Sequence, residues 1–376
     1  MHQPVRVLHV LHRLSTGGIT NWLVDILRHT DPRKTRFDFA VHREGDTPYR
    51  EEIDSHGARV FRLPDRRRLG PYITSLYRLI RKNGPYHAVH SHYHLFSGVV
   101  LSVARLARVP VRIAHVHKDD GPDAGSPKKP IVAKALRALL HLSCTHCLAC
   151  SRRGATSVWG PAWPHDSRVE VFPYGFDFSP FLTLNDRALI CSSLGVPVDS
   201  LIVGHVGNFV TAKNHEFLVR VFRDILELCT KAYLLLIGDG ERRPAIEKLC
   251  HDLDIAEYVR FLGFRSDLAN LLATMDVLVF PSLIEGLPIT VLQAQLAGLP
   301  IVASTAVPEE ANITGRVFFL SLNLPPKIWA KHTIEAARMP KVDLVQTAQL
   351  MQRYQIENVA TRLTEYYCQG AARIES

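Results

Sequence analysis

The sequence predicts an α/β fold made of two Rossmann-like domains that face each other across a cleft. First, a chain of 376 residues is long enough for two domains that each bury a core of their own. Second, short β-rich runs alternate with amphipathic helical runs, which is the pattern of parallel sheets covered by helices. Third, a stretch rich in proline, glycine and aspartate interrupts this alternation near the middle of the chain.

The first half of the chain contains seven predicted strands and four predicted helices. The strands are residues 5–10, 37–41, 59–62, 87–90, 112–115, 146–150 and 169–172. The helices are residues 19–29, 72–82, 96–107 and 131–142. We assign residues 1–178 to an N-terminal domain and residues 179–198 to a linker.

The second half repeats the alternation. Its predicted strands are residues 202–206, 233–237, 259–261, 277–280 and 301–303, and its predicted helices are residues 215–228, 241–253, 267–274 and 288–297. We assign residues 199–354 to a C-terminal domain and expect residues 355–376 to form a terminal helix that returns towards the N-terminal domain. Ligands of such sheets bind at the strand-to-helix loops, where the motifs described below are found.

The composition is that of a globular protein, with 47% hydrophobic and 22% charged residues. The longest apolar stretches, such as residues 95–104, are too short to span a bilayer. The first residues lack a signal-peptide cleavage site and lead directly into a strand pattern. Seven cysteines without a framework spacing favour a reducing compartment. We therefore predict a cytoplasmic protein.

The basic character of the chain is confined to its first half. Residues 1–184 contain 27 lysine and arginine residues against 15 acidic ones, whereas the remainder contains 18 against 21. Because the basic half has no nucleic-acid-binding motif, it points to anionic lipid headgroups or an anionic acceptor as partner. A solvated basic surface without a partner is the alternative.

The segment from Phe280 to Pro300 has the pattern of a strand end, a turn with one carboxylate, and a helix. Pro288 suits the first helical turn, where free N–H groups and the helix dipole create an anion site. The carboxylate of Glu285 cannot bind a phosphate itself, so it is better explained as a partner for hydroxyl or ammonium groups beside one. Phosphate next to a polyol is the chemistry of a sugar nucleotide.

A second loop, residues 206–216, follows the first strand of the C-terminal domain. Asn214 is a good N-cap for the next helix, so Lys213 lies beside a helix N-terminus. The helix dipole disfavours a cation there unless an anion is bound. We therefore predict that Lys213 binds a diphosphate; the alternative is a solvated loop lysine.

Two further strand-to-helix loops carry candidate residues. Arg265 follows the strand at residues 259–261, where it either faces a ligand or forms a surface ion pair with Asp267. Gly17 and Gly18 follow the first strand of the chain, and glycines at this position allow the backbone to approach a ligand closely.

Histidines alternate at two strand ends, as His90, His92 and His94 and as His115 and His117. Alternation places each set on one face of an extended chain. A metal centre would need three or four converging ligands with supporting hydrogen bonds, and the chain offers no thiolates or acids at matching spacing. We therefore favour histidines without a metal.

Cys144, Cys147 and Cys150 have a C-x2-C-x2-C spacing. Zinc would require a fourth ligand and a knuckle turn, whereas this segment has the pattern of a buried strand that ends at Ser151 as a helix N-cap. We predict buried thiols.

The cluster Arg66-Arg67-Arg68 precedes the helix predicted at residues 72–82. The apolar stripe of this helix is short, which favours an ordinary helix that covers the sheet rather than one lying on a membrane. For the arginine cluster itself we favour contact with a membrane.

These motifs resemble the signatures of the retaining glycosyltransferases of family 4, in particular the bacterial exopolysaccharide branch. Glu285 opens the Glu-x7-Glu signature, and Ala294, Gly298 and Pro300 continue it, but Gln293 replaces the second acid. The similarity extends from about residue 5 to residue 367 and is strongest over residues 202–322.

The loop that contains Lys213 resembles the family motif G-R-x-x-x-x-K, with Asn208 in place of the arginine. The resemblance implies a GT-B fold, with the acceptor on the first domain and a nucleotide-sugar donor on the second. It implies catalytic roles for His117 and Glu285. The implied donor-binding residues are Gly18, Asn208, Lys213, Arg265, Gly286, Leu287 and Gln293.

The implied reaction is transfer of a hexosyl or N-acetylhexosaminyl group, with retention, from a UDP-sugar or another nucleotide sugar to a lipid-linked or polysaccharide acceptor. It implies no cofactor and no metal, and peripheral contact of the basic half with the inner face of the cell membrane. Because Asn208 and Gln293 weaken donor contacts, the first alternative is a catalytically weakened GT-B protein that acts as a binding or scaffold subunit. A sugar-nucleotide epimerase is a less favoured alternative.

Overall fold

The computed structural model describes residues 3–14, 18–44, 49–117 and 130–369. The chain forms two compact units, Met1–Asp177 with Arg353–Ser376, and Phe178–Gln352. Each unit is built on one parallel β-sheet covered by helices, so the α/β prediction is confirmed. Among the described residues, no helix combines the length and the apolar content that are needed to cross a bilayer.

The sheet of the first unit has seven parallel strands in the order β3-β2-β1-β4-β5-β6-β7. Their bounds are β1 Val5–Leu14, β2 Thr35–Glu44, β3 Arg59–Arg62, β4 Ala88–Ser91, β5 Val111–Val116, β6 His146–Ala149 and β7 Val169–Val171. All seven coincide with predicted strands. The five inner strands are short runs that the parallel sheet mostly buries on both faces, whereas the edge strands β3 and β7 are partly exposed.

Helices cover both faces of this sheet. Those of the first unit are α1 Gly18–Arg28, α2 Arg50–Ser55, α3 Leu69–Asn83, α4 Ser97–Leu106, α5 Pro130–Ser143, α6 Arg152–Trp159 and α14 Ile356–Cys368. Helix α14 packs on α1 and β1. Helices α3 to α6 lie side by side over one hydrophobic core. The two faces therefore differ, and the histidines described below lie on the side of α1 and α14.

The second unit has a six-stranded parallel sheet in the order β10-β9-β8-β11-β12-β13. The strands are β8 Leu201–Val206, β9 Ala232–Ile237, β10 Val259–Gly263, β11 Val277–Phe280, β12 Ile301–Ser304 and β13 Val317–Leu320. The helices are α7 Arg187–Leu194, α8 His215–Leu228, α9 Arg243–Asp252, α10 Leu268–Thr274, α11 Ile289–Leu296, α12 Pro326–Ala337 and α13 Leu344–Leu350.

Several elements were not predicted, among them β13, α2, α7, α12 and α13. Helix α7 lies inside the stretch that we assigned to a linker, and that stretch belongs to the second unit. Asp186 caps this helix by accepting a hydrogen bond from the N–H of Ala188, and Arg187 donates two hydrogen bonds to the carboxylate of Asp276. The proline and glycine residues around α7 predicted a linker, but tertiary contacts stabilise a short helix there.

The three cysteines spaced C-x2-C-x2-C are buried free thiols, as predicted. Burial raises the pKa of the Cys144 thiol to about 12 and that of Cys147 well above its usual range, so neither is a thiolate at neutral pH. Ser151 caps α6 through a hydrogen bond from the N–H of Gly154. The apolar stripe of α3 is also buried, which confirms that α3 is an ordinary sheet-covering helix.

Helix α4 approaches α5 closely at Gly98. A Cβ atom at this position would lie 2.4 Å from the carbonyl oxygen of Leu136 and 2.9 Å from the amide nitrogen of Leu140. Both are backbone atoms of α5, so neither can move without the helix. We predict that Gly98→Ala destabilises the protein by about 1–3 kcal/mol, because the two helices must separate. Urea unfolding followed by circular dichroism measures this change.

Gly70 supplies the matched control. It also lies in a helix, but nothing would approach within 4 Å of a Cβ atom there. Gly70→Ala should therefore leave stability unchanged or raise it by up to about 1 kcal/mol, since alanine favours a helix. Equal effects of the two substitutions would contradict the close approach of α4 and α5.

Candidate functional site

The strand order of the second sheet brings two candidate loops together. Strand β8 lies in the centre, between β9 and β11. The loop after β8 carries Lys213, and the loop after β11 carries Glu285. The N–H of Leu283 donates a hydrogen bond of 2.8 Å to the carbonyl oxygen of Ala212, which joins the two loops directly.

Lys213 and Glu285 form an ion pair with 2.6 Å between Nζ and Oε1. Their side chains retain only 21% and 11% of their exposure. The ammonium group also lies 4.7 Å from the centre of the Phe280 ring, a cation–π contact. The two charges that the sequence assigned to a diphosphate and to a sugar therefore neutralise each other.

Glycines after β9 let a third loop pack against this site. A Cβ atom on Gly238 would lie 2.3 Å from the carbonyl oxygen of Gly207, and one on Gly240 would lie 2.8 Å from that of Phe209. Both glycines have a positive φ, 129° and 157°, which residues with a side chain rarely adopt. Neither glycine is among the predicted site residues, although the spacing Gly-Asp-Gly after a buried strand is a signal for such a close approach.

A cavity of about 210 Å³ opens beside the Lys213 loop. It is lined by Val210, Thr211, Asn214, His215, Glu216, Arg242 and Leu283. Arg242 donates to the hydroxyl of Thr211 at 2.9 Å and forms an ion pair with Glu216. The cavity thus lies next to the Lys213–Glu285 pair. The charge of Arg242, which lines it, is neutralised by Glu216.

Helix α11 begins beside Glu285. Pro288 is its N-cap residue, and the first turn that follows leaves N–H groups without a partner inside the helix. Gly286 and Leu287, in the turn before the helix, are buried, and Gln293 on the helix is half-buried. Within the described residues, the Gln293 side chain makes no hydrogen bond.

The neighbouring Gln295 has a structural role that the sequence did not reveal. Its amide donates to the carbonyl oxygen of Ala311 at 2.6 Å, and its carbonyl accepts from the N–H groups of Ile313 and Thr314 at 2.9 and 3.0 Å. It is 1% exposed, and it fixes the loop after β12 to α11. Gln293 and Gln295 are therefore not interchangeable, although both lie in the same short run of sequence.

The remaining candidates of the second unit lie at the surface. Arg265 pairs with Asp267 at 2.7 Å, which is the arrangement that the sequence offered as the alternative to ligand contact. Asn208 is exposed. Asn214 is the N-cap residue of α8, but its backbone is left-handed (φ 55°) and its side chain caps nothing, so the predicted capping hydrogen bond is wrong.

In the first unit, histidines form a hydrogen-bonded chain that ends at His117. Nδ1 of His9 lies 3.2 Å from Nε2 of His92, and Nδ1 of His92 lies 2.7 Å from Nε2 of His117. Nδ1 of His117 in turn lies 2.5 Å from the hydroxyl of Tyr174. Both ring nitrogens of His117 are therefore engaged within the protein.

A second chain runs beside the first. The hydroxyl of Tyr367 on α14 lies 2.8 Å from Nδ1 of His90, and Nε2 of His90 lies 3.1 Å from Nδ1 of His115. The rings of His115 and His117 stack at 4.3 Å. The two chains thus form one block of five imidazoles between the sheet and α1 with α14.

Burial keeps these imidazoles uncharged. It lowers the pKa of His9 and of His117 to about 3. Burial, and then the neighbouring imidazoles, also lower the pKa of His90, His92 and His115 well below the usual value. No charge therefore has to be compensated inside this block.

The expectation that His94 shares a face with His90 and His92 is wrong. His94 adopts φ 47° in a short 3-10 turn, and its Nε2 lies 3.2 Å from the hydroxyl of Ser157. His9 takes its place in the block, which no local spacing could reveal because β1 and β4 are far apart in sequence.

Two triads in the block, His9 with His90 and His92, and His92 with His115 and His117, bring ligand atoms within 4.8 Å of one another. The planes of His92 and His117 are inclined by only 27°, and those of His115 and His117 by 22°. The facing nitrogens are joined by hydrogen bonds, His9 to His92 at 3.2 Å and His92 to His117 at 2.7 Å, and the expectation of histidines without a metal stays a prediction. Hydrogen bonding already accounts for the arrangement.

Gly18 is the first residue of α1, and a Cβ atom there would meet nothing within 4 Å. The other residues of the predicted glycine loop, Thr16 and Gly17, lie outside the described residues. A close approach of backbone to ligand at this loop stays a prediction.

Two family models match this chain. "Glycosyltransferase Family 4" matches residues 16–179, and "Glycosyl transferases group 1" matches residues 200–336. The putative glycosyltransferase EpsF of Bacillus subtilis is 32% identical over 368 residues, which are 96% of each chain. A UDP-Gal:alpha-D-GlcNAc-diphosphoundecaprenol alpha-1,3-galactosyltransferase of Escherichia coli is 29% identical over 62% of this chain and 61% of its own length.

Among solved structures, Alr3699/HepE of Anabaena in complex with UDP has a TM-score of 0.77 at 19% identity, and the match covers 97% of this chain and 100% of that one. Its complex with UDP-glucose gives a TM-score of 0.75, also at 19% identity, and covers 97% and 99% of the two chains. At this identity the likeness concerns the fold, and it confirms GT-B.

The uncharged histidine block predicts a loss of stability in acid. Between the ordinary histidine pKa of about 6.5 and the lowered folded values, the unfolded chain binds protons that the folded chain cannot. The contribution of these histidines to the free energy of unfolding should therefore be fully present above about pH 6.5. It should decrease as the pH falls, by up to about 1.4 kcal/mol per pH unit for each histidine. Urea unfolding read by tryptophan fluorescence is suitable, since Trp22 contacts His115 and His117.

His9→Asn removes one of these groups. The slope of the free energy of unfolding against pH should therefore be lower in this variant, by about 1.4 kcal/mol per pH unit between pH 4.5 and 6. His165→Asn is the matched control, because His165 lies exposed in the same unit. The same slope in wild type and in His9→Asn would contradict the conclusion that His9 is uncharged in the folded protein.

Proposed function

We propose that this chain, which belongs to glycosyltransferase family 4, moves a sugar from a nucleotide diphosphate donor, foremost a UDP-sugar, to a lipid-linked or polysaccharide acceptor with retention of configuration. The observation that carries the proposal is the pairing of Lys213 with Glu285 beside the start of α11. A cation and free N–H groups suit a diphosphate, and a carboxylate next to them suits sugar hydroxyls.

The relatives support a UDP-sugar and a lipid-linked acceptor. The Escherichia coli relative is named for UDP-Gal and for a diphosphoundecaprenol acceptor. The Anabaena protein of the same fold was solved with UDP and with UDP-glucose. We propose that the present chain uses the same classes of donor and acceptor, and that it transfers a hexosyl or N-acetylhexosaminyl group.

In the proposed reaction the bond between the anomeric carbon and the diphosphate oxygen breaks. The acceptor oxygen bonds to the same face of that carbon, and its proton passes to the leaving phosphate. Negative charge grows on the diphosphate, where Lys213 and the N–H groups of Gly286 and Leu287 stabilise it. Lys213 must first exchange its contact with Glu285 for the diphosphate, which leaves Glu285 free to accept hydrogen bonds from the sugar.

His117 is proposed to contact the transferred sugar. Because its Nδ1 is engaged by the hydroxyl of Tyr174, a sugar hydroxyl would replace that hydroxyl rather than occupy a free nitrogen. His117 would act there as an uncharged hydrogen-bonding group, since burial lowers its pKa to about 3. No metal ion is needed for these steps, so EDTA should leave transfer unchanged.

A weakened or scaffolding protein is the second candidate, because Asn208 and Gln293 stand where the family motifs have an arginine and an acid. Neither residue is fixed in another role: Asn208 is exposed, and the amide of Gln293 has no hydrogen bond within the described residues. Both remain available to a donor, Gln293 for the ribose hydroxyls. A sugar-nucleotide epimerase is favoured less, since the turn and helix at residues 285–296 contain no acid or base besides Glu285.

We predict that replacing Lys213 and replacing Glu285 have different effects. Lys213→Ala should weaken UDP binding at least about tenfold, because the diphosphate loses its cation. Glu285→Gln should bind UDP as tightly as wild type or more tightly, since Lys213 no longer has a competing anion, but sugar transfer should fall at least about tenfold. Calorimetry measures UDP binding, and a panel of UDP-, GDP- and ADP-sugars with membrane extract measures transfer.

Lys331→Ala is the control for the loss of a lysine, because Lys331 is exposed on α12. If no nucleotide binds at millimolar concentration and Lys213→Ala changes nothing, the transferase proposal is wrong. The second candidate, a binding or scaffold subunit, would then remain. Equal losses of UDP binding in Lys213→Ala and Glu285→Gln would mean that the two residues have no separate roles.

We also predict that Gln293→Glu tightens donor binding by up to about tenfold, because a charged acceptor binds ribose hydroxyls more strongly than an amide. Gln346→Glu, on the exposed side of α13, adds the same charge elsewhere and should change nothing. A weaker affinity in Gln293→Glu, measured by the same calorimetry, would place Gln293 outside the ribose site.

A further inference from the structure

Three side chains that can bind a metal ion come from distant parts of the sequence and meet in the first unit. His29 follows the last turn of α1, Asp177 is the last residue before the chain enters the second unit, and Glu357 lies in the first turn of α14. One ligand atom of each lies within 4.8 Å of the other two. We call His29, Asp177 and Glu357 the His29 triad.

Backbone contacts bring the members of the His29 triad together. The N–H of Phe176 donates to the carbonyl oxygen of Tyr354 at 2.9 Å, and the N–H of Ile356 donates to that of Phe176 at 3.1 Å. These two hydrogen bonds join the segment before Asp177 to the start of α14, and α14 packs on α1. The triad therefore lies on packed elements, as a preorganised site requires.

The ring of His29 is oriented as in a metal ligand. Its Nδ1 lies 2.8 Å from the carbonyl oxygen of Asp25. Because a carbonyl oxygen only accepts hydrogen bonds, Nδ1 carries a proton, and the lone pair of the uncharged ring lies on Nε2. Nε2 faces Oε1 of Glu357 at 3.6 Å. Histidines that bind metals usually donate their other N–H to a carbonyl or carboxylate oxygen in this way, which leaves the facing nitrogen for the ion.

The distance between these two atoms indicates which cation lies between them. A lone pair and a carboxylate oxygen repel each other, so we expect either a proton or a metal ion there. A proton on Nε2 would draw the oxygen to about 2.7–2.9 Å, the length of a charge-assisted hydrogen bond. Two ligands at about 2.0–2.2 Å from a tetrahedral ion lie about 3.3–3.6 Å apart. The observed 3.6 Å fits a metal ion better, and Asp177 supplies a third ligand atom within 4.8 Å of both.

The charge of Glu357 also needs a partner. Among the described residues, only His29 lies within ion-pair distance of its carboxylate. The neighbouring cation, Arg28, is engaged by Asp25 and Glu52. No arginine or lysine in the described part of the chain therefore neutralises Glu357, and a divalent ion would supply the positive charge.

We propose that the His29 triad binds a divalent transition-metal ion, for which zinc is the probe. An imidazole with two carboxylates suits such an ion, whereas magnesium and calcium prefer oxygen ligands throughout. A water molecule would complete the coordination. The ion would join the end of α1, the segment before the second unit and the start of α14, and would thereby stabilise the first unit. It takes no part in the proposed sugar transfer.

Calorimetry and thermal unfolding of the full chain with zinc chloride, after EDTA has been added and removed, test the proposal. Wild type should bind zinc saturably, and its Tm should rise by about 2–5 °C at saturation. His29→Asn and Glu357→Gln should each weaken zinc binding at least about tenfold and abolish the rise in Tm, because each removes one ligand. Magnesium chloride at the same concentration should cause neither effect.

His332→Asn with Glu335→Gln is the matched control. These residues form another exposed histidine–carboxylate pair, with 3.4 Å between Nδ1 and Oε2, but no third ligand accompanies them among the described residues. The control should bind zinc as tightly as wild type, and circular dichroism verifies that each variant is folded. Failure of wild type to bind zinc would overturn the proposal in favour of a proton on His29. Equal zinc affinities of wild type and His29→Asn would also overturn it, as would equal binding of magnesium, which would indicate only an acidic surface.

The metal site and the proposed function can be tested separately. UDP affinity should be the same in wild type and in the His29→Asn and Glu357→Gln variants, because Lys213 and Glu285 lie in the second unit. Zinc binding without UDP binding would support the metal site and contradict the proposed donor. UDP binding without zinc binding would contradict the metal site alone.

Discussion

The adjacency of β8 and β11 is the constraint on which the candidate site depends. Lys213 and Glu285 are far apart in sequence, and only the strand order places the loops after these two strands side by side. The resulting ion pair is mostly buried, and such pairs contribute little net stability because their desolvation opposes their attraction. The proposed function gives the two charges separate roles, Lys213 towards the diphosphate and Glu285 towards the sugar.

The order of elements could be predicted from sequence because parallel strands are short apolar runs separated by amphipathic helices. The position of Lys213 and Glu285 on strand-to-helix loops followed from the same pattern. Helix α7 and strand β13 could not be predicted, since tertiary contacts such as that of Arg187 with Asp276 decide them. Local spacing also could not distinguish Gln295, which anchors a loop, from Gln293, which makes no such contact.

Contacts between residues that are far apart in sequence limited the prediction of the first unit in the same way. The alternation at the end of β4 suggested His94 as a partner of His92, but a turn redirects His94 towards Ser157. His9 comes from β1, whose neighbour in the sheet is β4. Burial keeps the histidines of this unit uncharged. The block can therefore exclude water without burying an uncompensated charge.

The chain from His9 to Tyr174 has a direction. Each uncharged imidazole has one N–H and one lone pair, so His9, His92 and His117 must all carry their protons on Nδ1 or all on Nε2. The hydroxyl of Tyr174 decides between the two, because it donates its one proton to the backbone carbonyl oxygen of His117 at 3.3 Å and can then only accept from Nδ1 of that ring. All three imidazoles therefore carry their proton on Nδ1, and the lone pair that remains lies on the buried Nε2 of His9, which has no partner among the described residues. One hydroxyl at the end of β5 thus fixes the tautomer of a ring in the middle of the sheet, through the hydrogen bonds of His117 and His92.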